Sequence, residues 1–343
     1  MQYVQALLTD LQTDLSLLNS VRSVQSIFMG GGTPSLFSPD ALQYLLSGVK
    51  TELNLATDCE ITLEANPGTF ESAKFQAFRE LGINRLSIGI QSFNDKHLKQ
   101  LGRVHNAAEA LKAVEIAQKA GFDNLNLDLM FGLPAQTQAE AIADIETALA
   151  LKPAHISFYQ LTLEPNTYFY KFPPKLPEDE SIFALQTACQ QLLAQQGYQQ
   201  YEVSAYAKPG FQSRHNRNYW QFGDYLGIGA GAHGKISQTL PNRILRTAKP
   251  KNPEQYLSNP IASTAEPIEI SQLPLEFVMN HLRLKMGFSL NDYEAMTGLP
   301  ASTLEPALTG CVQQDLLMTQ GDRVFCSEQG WSFLDEALER FMP

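Results

Sequence analysis

Cysteine is scarce in this sequence, and its spacing excludes two kinds of small scaffold. The four cysteines lie far apart and form no C-x-x-C pair: Cys59, Cys189, Cys311 and Cys326. We therefore expect neither a zinc knuckle nor a disulfide framework. No apolar run reaches the length of a membrane span, and the N-terminus lacks the basic-then-apolar pattern of a signal peptide.

Basic residues are also few. The chain has 25 lysines and arginines against 36 aspartates and glutamates, which gives a formal net charge of -11. This balance opposes non-specific binding to nucleic acid. With 343 residues, 44% of them hydrophobic, the chain is long enough for one large domain and a smaller one. We expect a cytoplasmic globular protein without a nucleic-acid partner.

A run of glycines follows the first strand signal. The apolar stretch Val24–Met29 predicts a buried strand, and it leads directly into the segment Gly30–Pro34, which reads Gly-Gly-Gly-Thr-Pro. Glycines let the backbone approach a ligand closely and turn its N–H groups towards one small polar object. A strand that ends in such a loop is how α/β proteins hold anions and zwitterions. The glycines alone leave open a tight turn without a ligand.

Strand and helix signals then alternate along the chain. Further strands are predicted at 60–64, 85–90, 125–130, 155–161 and 201–205. Asn106 with Glu109, and Thr137 with Glu140, have the spacing of capping boxes that begin two of the helices. About six alternations of strand and helix predict an α/β fold with a parallel sheet, either open or curled into a barrel.

Polar residues follow several of these strands at their carboxyl ends. They are the glycine loop, Glu64, Gln91, Asp128 and Gln160. The carboxyl ends of parallel strands meet at one edge of a sheet, so these groups are expected to line one pocket.

The character of the chain changes beyond residue 250. Four prolines mark a linker: Pro250, Pro253, Pro260 and Pro267. Helices near 274–286, 290–297 and 302–317 and a hairpin from 317 to 327 are similar to a winged-helix module, which favours DNA binding. The third helix has Glu305 and Asp315 but no lysine or arginine, so it would repel phosphates. A docking or lid domain is the better interpretation.

Several motifs together resemble the radical S-adenosylmethionine family, in the branch of oxygen-independent coproporphyrinogen III oxidases and haem chaperones of the HemW type. The motifs of the branch are Gly30–Pro34, Glu64–Pro67, Ile88–Phe93, Leu101–His105 and Asp128–Pro134. Those similar to the HemW type in particular are Tyr159–Thr167, His215–Trp220 and Gly227–Gly234. The resemblance implies a partial (β/α)6-type barrel without its first strand, followed by a small α+β winged-helix-like domain.

The resemblance also implies site residues. Contacts to S-adenosylmethionine are expected from Gly31, Gly32, Thr33, Glu64, Gln91, Arg103, Asp128 and Thr162. Haem ligation is expected from His215, in the stretch H-N-x-x-Y-W, and less strongly from His233. A polar loop packed on the barrel is the structural alternative for His215.

One family signature is missing. The C-x-x-x-C-x-x-C motif, whose thiolates hold a [4Fe–4S] cluster in this family, does not occur in the sequence. The four cysteines are scattered over different elements and are not expected to replace it. Two explanations stand: a start at an internal methionine of a longer gene, or a true loss of the cluster. The retained polar set around Gly31, Glu64 and Gln91 favours the first.

The domains implied are a partial barrel with a haem-associated extension at 1–248, a linker at 249–273 and a helical, winged domain at 274–343. A haem chaperone that transfers haem to an acceptor protein is the expected function. Oxygen-independent coproporphyrinogen III oxidase is the alternative, and a cluster-free module that binds haem or a nucleoside is the third. Peripheral docking to a membrane partner, and a monomer or a homodimer, stay open.

Overall fold

The computed structural model describes residues 1–69, 71–239 and 242–342. These residues form two compact units. The sheet unit comprises residues 25–42 and 58–213, and the terminal unit comprises residues 1–24, 43–57 and the chain from Arg214 onwards. Within the described ranges, every helix is too short or too polar to cross a membrane.

In the described part of the chain, a seven-stranded sheet has the order β1-β2-β3-β4-β5-β7-β6. Its strands are β1 (Ser23–Met29), β2 (Asn54–Ala65), β3 (Arg85–Gln91), β4 (Asn124–Phe131), β5 (His155–Gln160), β6 (Gln199–Glu202) and β7 (Ala205–Ala207). Strands β2 to β5 are parallel, as the alternation of strand and helix predicts.

The far edge of this sheet departs from the prediction. Instead of one further strand at 201–205, the chain forms β6 and β7, which pair antiparallel with each other, and β7 pairs antiparallel with β5. The Glu202 carboxylate accepts a hydrogen bond from the Ser204 N–H at 3.1 Å and so stabilises a turn between the two strands. This local turn chemistry reverses the chain within the predicted strand.

Helices connect the strands at the predicted places. Up to residue 195 they are α1 (Gln2–Leu15), α2 (Pro39–Glu52), α3 (Ser72–Glu80), α4 (Asp95–Gln100), α5 (Ala107–Lys119), α6 (Gln138–Ala150), α7 (Tyr168–Lys171) and α8 (Asp179–Gln195). Both capping boxes are confirmed: each N-cap side chain accepts from the N3 backbone, and each N3 glutamate accepts in return. These caps fix where α5 and α6 begin.

The sheet has one apolar face and one polar face. Leu63, Leu86, Leu127 and Ile156 belong to the apolar face and are fully buried. The alternate positions are polar, and neighbouring strands bring them together in register: Thr62 with Arg85, Glu64 with Ser87, Ser87 with Asn126, Asn126 with His155, and Asp128 with Ser157. Because side chains alternate along a strand, this period-2 pattern places the polar groups on a common face.

The remaining elements belong to the terminal unit. They are α9 (Arg214–Trp220), β8 (His233–Thr239), β9 (Asn242–Ala248), α10 (Pro253–Ser258), β10 (Thr264–Pro267), α11 (Leu273–His281), β11 (Phe288–Ser289), α12 (Leu290–Thr297), α13 (Ala307–Gln313), β12 (Leu317–Gln320), β13 (Arg323–Cys326), α14 (Glu328–Ser332) and α15 (Leu334–Glu339). Among the described residues, these strands form two small sheets, with the orders β10-β9-β8 and β11-β13-β12. Phe277, Phe288, Tyr293 and Val324 lie in the apolar core of the C-terminal elements.

The C-terminal helices and the hairpin β12–β13 lie close to their predicted positions. The third helix is shorter than predicted: a 3-10 turn spans Ala301–Leu304, and α13 begins only after Pro306, whose ring removes a backbone donor. The stretch predicted as a linker contains α10 and β10, and β10 pairs with β9. The domain boundaries at 249 and 273 stay predictions.

Buried polar groups anchor helix α1 within the terminal unit. The Lys249 ammonium lies 2.5 Å from Asp10 Oδ1 and 2.6 Å from Asp14 Oδ1, and all three side chains are fully buried. Asp10 Oδ2 also accepts the Gly229 N–H at 3.0 Å and the Tyr256 hydroxyl at 2.8 Å. Burial raises the pKa of Asp14, and its bond to Lys249 opposes that shift. The motif Gly227–Gly234 therefore takes part in anchoring α1.

Candidate functional site

A polar cleft of about 340 Å³ lies at the carboxyl edge of the parallel strands in the sheet unit. It is lined by Gly32, Thr33, Pro34, Glu64, Ala65, Asn66, Ser87, Gly89, Gln91, Arg103, Asp128 and Tyr159. This is the edge at which open α/β sheets bind ligands, and the volume is within the range of small-molecule pockets.

The glycine loop forms one wall of the cleft. Gly31 and Gly32 have φ values of +76° and +48°, a left-handed conformation that glycine adopts without strain. The Gly31 N–H donates to Glu64 Oε2 at 3.2 Å. A Cβ at Gly30 would lie 2.6 Å from the Phe28 ring and 3.0 Å from the Glu64 carboxyl carbon. The loop therefore requires glycine both for its turn and for its approach to Glu64.

Two carboxylates face this cleft. The pKa of Glu64 is raised, first by burial and then by the negative charge of Asp128, while the Gly31 N–H lowers it. Burial also raises the pKa of Asp128, against hydrogen bonds from Asn126 Nδ2 at 2.8 Å and Ser87 Oγ at 3.0 Å. Two negative groups in a partly desolvated cleft favour a cationic ligand group.

Arg103 contributes a positive charge to the same cleft. Within residues 1–69, 71–239 and 242–342, its guanidinium forms no hydrogen bond or ion pair, so its donors are available to a ligand. Desolvation lowers the pKa of Arg103 and Asp128 opposes that shift; an arginine stays charged at physiological pH in either case. An arginine fork suits a ligand carboxylate. The cleft thus has complements for both ends of a zwitterion.

A bulge turns Gln91 into the cleft. The pairing of β3 with β4 shifts register between Ile88 and Gln91, and Gln91 has a φ of +70°, which is uncommon outside glycine. A Cβ at Gly89 would lie 3.0 Å from the Gln91 amide nitrogen and 3.2 Å from Asn66 Oδ1. Gly89 thereby leaves room for both amides at the cleft wall.

The cleft brings together most of the predicted cofactor residues. Gly32, Thr33, Glu64, Gln91, Arg103 and Asp128 line it, and Gly31 binds Glu64 beside it. Thr162 lies beyond the end of β5, where its hydroxyl donates to Glu164 Oε1 at 2.8 Å. A role for Thr162 in ligand binding stays a prediction.

The expectation that Gln160 lines the pocket is wrong, and Tyr159 takes its place. Tyr159 pairs with Met130 in register, so it shares a face with Ser157 and Asp128. Gln160 follows by one residue and is directed to the opposite face. Ser87 also lines the cleft, although it lies inside β3 and not at the end of the strand. Its position between the apolar Leu86 and Ile88 is the signal in the sequence that places it on the polar face.

The two predicted haem ligands belong to the terminal unit. His215 lies in the first turn of α9 and is half-buried. The Trp220 ring at the end of α9 contacts Arg283 and Tyr219, at 4.3 Å and 4.9 Å from its centroid. His233 begins β8 and is exposed, and among the described residues its imidazole has no hydrogen-bond partner. Haem ligation by either histidine stays a prediction.

In the part of the chain that the structure describes, the thiols and other metal-ligating groups do not converge. Cys59, Cys189 and Cys311 are buried, and all four cysteines are free thiols. Among the residues that the structure describes, no cluster of three or more His, Cys, Asp or Glu side chains could hold a metal ion. The described residues, all four cysteines included, therefore do not fit a [4Fe–4S] cluster.

Comparison with known proteins agrees with this fold. Residues 13–148 match the Radical SAM superfamily, and residues 271–333 match the HemN C-terminal domain. The chain is similar in fold to the structure of coproporphyrinogen III oxidase (HemN) from Escherichia coli, with a TM-score of 0.81, 20% identity, and coverage of 99% of this chain and 82% of that one. The chain thus belongs to the class of radical S-adenosylmethionine proteins with a curled, mostly parallel sheet.

Relatives at higher identity define the family more closely. The chain is 47% identical to the heme chaperone HemW of Escherichia coli (strain K12), over 99% of this chain and 89% of the relative. HemW of Haemophilus influenzae gives the same identity and coverage, and a mitochondrial radical S-adenosyl methionine domain-containing protein 1 of Bos taurus is 34% identical over 97% of this chain and 79% of its own. The chain belongs to the HemW family.

Proposed function

We propose that this protein is a haem chaperone, which binds haem and transfers it to an acceptor protein. The observation that carries the proposal is the 47% identity to two proteins named heme chaperone HemW, which extends over 99% of the chain. Similarity of that extent includes the glycine loop, the cleft, helix α9 and the C-terminal elements. The haem-chaperone role in the names of these relatives is therefore proposed for the whole of this chain.

His215 is the proposed iron ligand, because imidazole is a usual axial ligand of haem and its place in α9 combines it with two aromatic side chains. His233 is the second candidate. Its exposed imidazole, without a hydrogen-bond partner among the described residues, is available for an external group.

The cleft is proposed to hold S-adenosylmethionine. Glu64 and Asp128 suit its ammonium and sulfonium charges, and Arg103 suits its carboxylate. The Gly31 N–H is bonded to Glu64 Oε2 and holds that carboxylate at the cleft. When bound, this cofactor supplies a sulfonium-activated adenosyl group, and the protein residues would bind, orient and shield it from water. The cluster of the wider superfamily does not fit the residues of this chain, so no step is assigned to it.

Partner and compartment follow from the same proposal. The recipient of haem is proposed to be another protein, as the word chaperone in the relatives' names implies. The cytoplasm is the proposed compartment, since four free thiols are typical of a reducing environment. The absence of lysine and arginine from α13 argues against nucleic acid as a partner of the C-terminal elements.

Oxidative decarboxylation of coproporphyrinogen III is the second candidate, because residues 271–333 match the HemN C-terminal domain. The likeness to the HemN structure, at 20% identity, shows the fold alone. Anaerobic incubation of the full chain with coproporphyrinogen III, S-adenosylmethionine and a reductant tests the oxidase. The chaperone proposal and the missing cluster ligands both predict that the substrate is recovered unchanged. Formation of a vinyl porphyrinogen would overturn the chaperone proposal in favour of the oxidase.

Handover of haem is the direct test of the chaperone proposal. The full chain is loaded with haem, separated from free haem, and mixed with an apo-haemoprotein of distinct Soret spectrum. Transfer is expected to go to completion, because a carrier must release its cargo to a tighter acceptor. Albumin in place of the loaded chain serves as a passive donor for comparison. A chain that binds no haem, or that keeps it in the presence of excess acceptor, would contradict the proposal.

A further inference from the structure

Beneath the cleft, the polar face of the sheet continues as a connected series of buried side chains. Asn126 Nδ2 donates to Asp128 Oδ1 at 2.8 Å and to Ser87 Oγ at 2.7 Å. His155 Nδ1 lies 2.6 Å from Asn126 Oδ1, and His155 Nε2 lies 2.9 Å from the Tyr201 hydroxyl. Asn126 and Tyr201 are buried, and His155 is fully buried, while Asp128 faces the cleft.

The donors and acceptors in this series can be assigned from chemistry. Asn126 Oδ1 only accepts, so His155 Nδ1 must carry the hydrogen. His155 Nε2 is then an acceptor for the Tyr201 hydroxyl, which itself accepts the Ser213 N–H at 3.3 Å. A rotated Asn126 amide would direct its oxygen at the Asp128 carboxylate, and two acceptors would then face each other. The orientation of the Asn126 amide that directs Nδ2 at Asp128 therefore requires the Nδ1–H tautomer of His155, and that tautomer requires this orientation.

We propose that His155 is a positioning residue for the ligand cleft. As its Nδ1–H tautomer it fixes the Asn126 amide so that the N–H groups are directed at Asp128 and Ser87, and Asp128 is held as a charged carboxylate towards the cationic part of the ligand. This inference rests on the proposed S-adenosylmethionine site. His155 itself does not line the cleft, so it acts through Asn126.

The surroundings of His155 keep it neutral. Burial and the nearby charge of Arg85 lower the pKa of His155 well below its usual value. The Arg85 guanidinium is itself buried and donates to Asn124 Oδ1 at 2.9 Å. The Tyr201 hydroxyl at Nε2 is uncharged. The Ser157 hydroxyl, also uncharged, donates to Asn126 Oδ1 at 3.0 Å, beside His155 Nδ1. The imidazole therefore remains an acceptor at Nε2 through the neutral pH range, as the series requires.

The pH dependence of ligand binding is expected to arise from the titration of Asp128. The charged or titratable groups that act on it are Glu64 on β2, Arg85 on β3, Arg103 after α4 and Tyr159 on β5. Loss of the Asn126 donor would remove a hydrogen bond to the charged carboxylate and raise its pKa further. The charged form, and with it the affinity for a cation, would then be lost as the pH falls through the raised value.

A double-mutant cycle tests the coupling of His155 to Asp128. S-adenosylmethionine binding to the full chain is measured by calorimetry between pH 6 and 9 for the wild type, His155→Leu, Asp128→Asn and the double variant. His155→Leu is expected to weaken binding about tenfold and to make it weaker still at low pH. In the Asp128→Asn background the same change should have little effect. His155→Gln, which retains a donor for Asn126, should bind close to wild type.

Two results would overturn the proposal. One is an equal loss from His155→Leu in the wild-type and Asp128→Asn backgrounds, which indicates a general packing defect. The other is a failure of His155→Gln to recover binding while its melting temperature equals that of the wild type. Each variant is first compared with the wild type by thermal unfolding and circular dichroism.

NMR measurements without ligand test the role of His155 independently of the proposed cofactor. Nitrogen-15 NMR of the wild-type imidazoles, with His155→Gln for assignment, is expected to show a hydrogen on Nδ1 of His155. Carbon-13 NMR should show a higher Asp128 pKa in His155→Leu than in the wild type. An Nε2–H tautomer or an unchanged Asp128 pKa would overturn the positioning role. If the wild type binds no S-adenosylmethionine, the proposed cofactor fails, and these two spectra still decide the role of His155.

Discussion

Replacement of Lys249 by methionine is expected to lower the free energy of unfolding by about 3–5 kcal/mol. The Lys249 ammonium is fully buried between Asp10 and Asp14, at 2.5 and 2.6 Å. Methionine has a similar volume but no charge, so two carboxylates would remain buried without a cation. Urea unfolding followed by tryptophan fluorescence and circular dichroism measures the change. Lys251→Met, at an exposed position two residues further on, is the matched control.

A variant in which the whole cluster is uncharged shows whether the loss of stability comes from buried charge. A triple variant, Asp10→Asn, Asp14→Asn and Lys249→Met, removes all three charges while it retains amide donors and acceptors. It should recover much of the stability lost in Lys249→Met alone, because the cost arises from uncompensated charge. A Lys249→Met protein as stable as Lys251→Met would show that the buried cluster does not anchor α1.

Replacement of Arg103 by glutamine is expected to weaken S-adenosylmethionine binding by about 10- to 100-fold, the range for loss of a charge-assisted hydrogen bond to a carboxylate. Arg103 lines the cleft and, among the described residues, has no protein partner for its guanidinium. Its removal should therefore leave the fold intact, with a melting temperature close to that of the wild type. Calorimetric titration of the full chain measures the affinity.

Adenosine makes the Arg103 test specific, because it carries no carboxylate. Its affinity should be nearly equal in the wild type and in Arg103→Gln. Lys99→Gln removes an exposed positive charge on α4 outside the cleft and should leave both ligands unaffected. An equal loss of adenosine and S-adenosylmethionine affinity in Arg103→Gln would contradict a carboxylate-binding role.

Local sequence signals were sufficient to predict much of the sheet unit. The capping boxes at Asn106 and Thr137 specify helix starts through short-range hydrogen bonds, which need no tertiary context. The glycine loop could be predicted because its turn needs a positive φ at Gly31 and Gly32, which glycine adopts without strain. Parallel pairing then brings successive strand ends to one edge. Most of the cleft could therefore be predicted from the order of motifs.

Other features depend on contacts that the sequence does not display. Gln160 and Tyr159 are adjacent, and only the register of β5 against β4 decides which of them lines the cleft. The bulge that turns Gln91 inward arises from the pairing of two strands. The bonds of Asp10 to Gly229 and Tyr256 join residues more than 200 positions apart. Such long-range partners become visible only in the folded chain.

Haem binding by the chain itself is the central claim, and a Soret titration tests it most directly. The wild type and Asn216→Ala, which alters the neighbouring residue in α9, should both saturate with a shifted Soret band. His215→Ala should lose that shift, and His233→Ala shows whether the second imidazole contributes. A wild-type chain without a saturable Soret shift, or a His215→Ala spectrum identical to that of the wild type, would contradict the account.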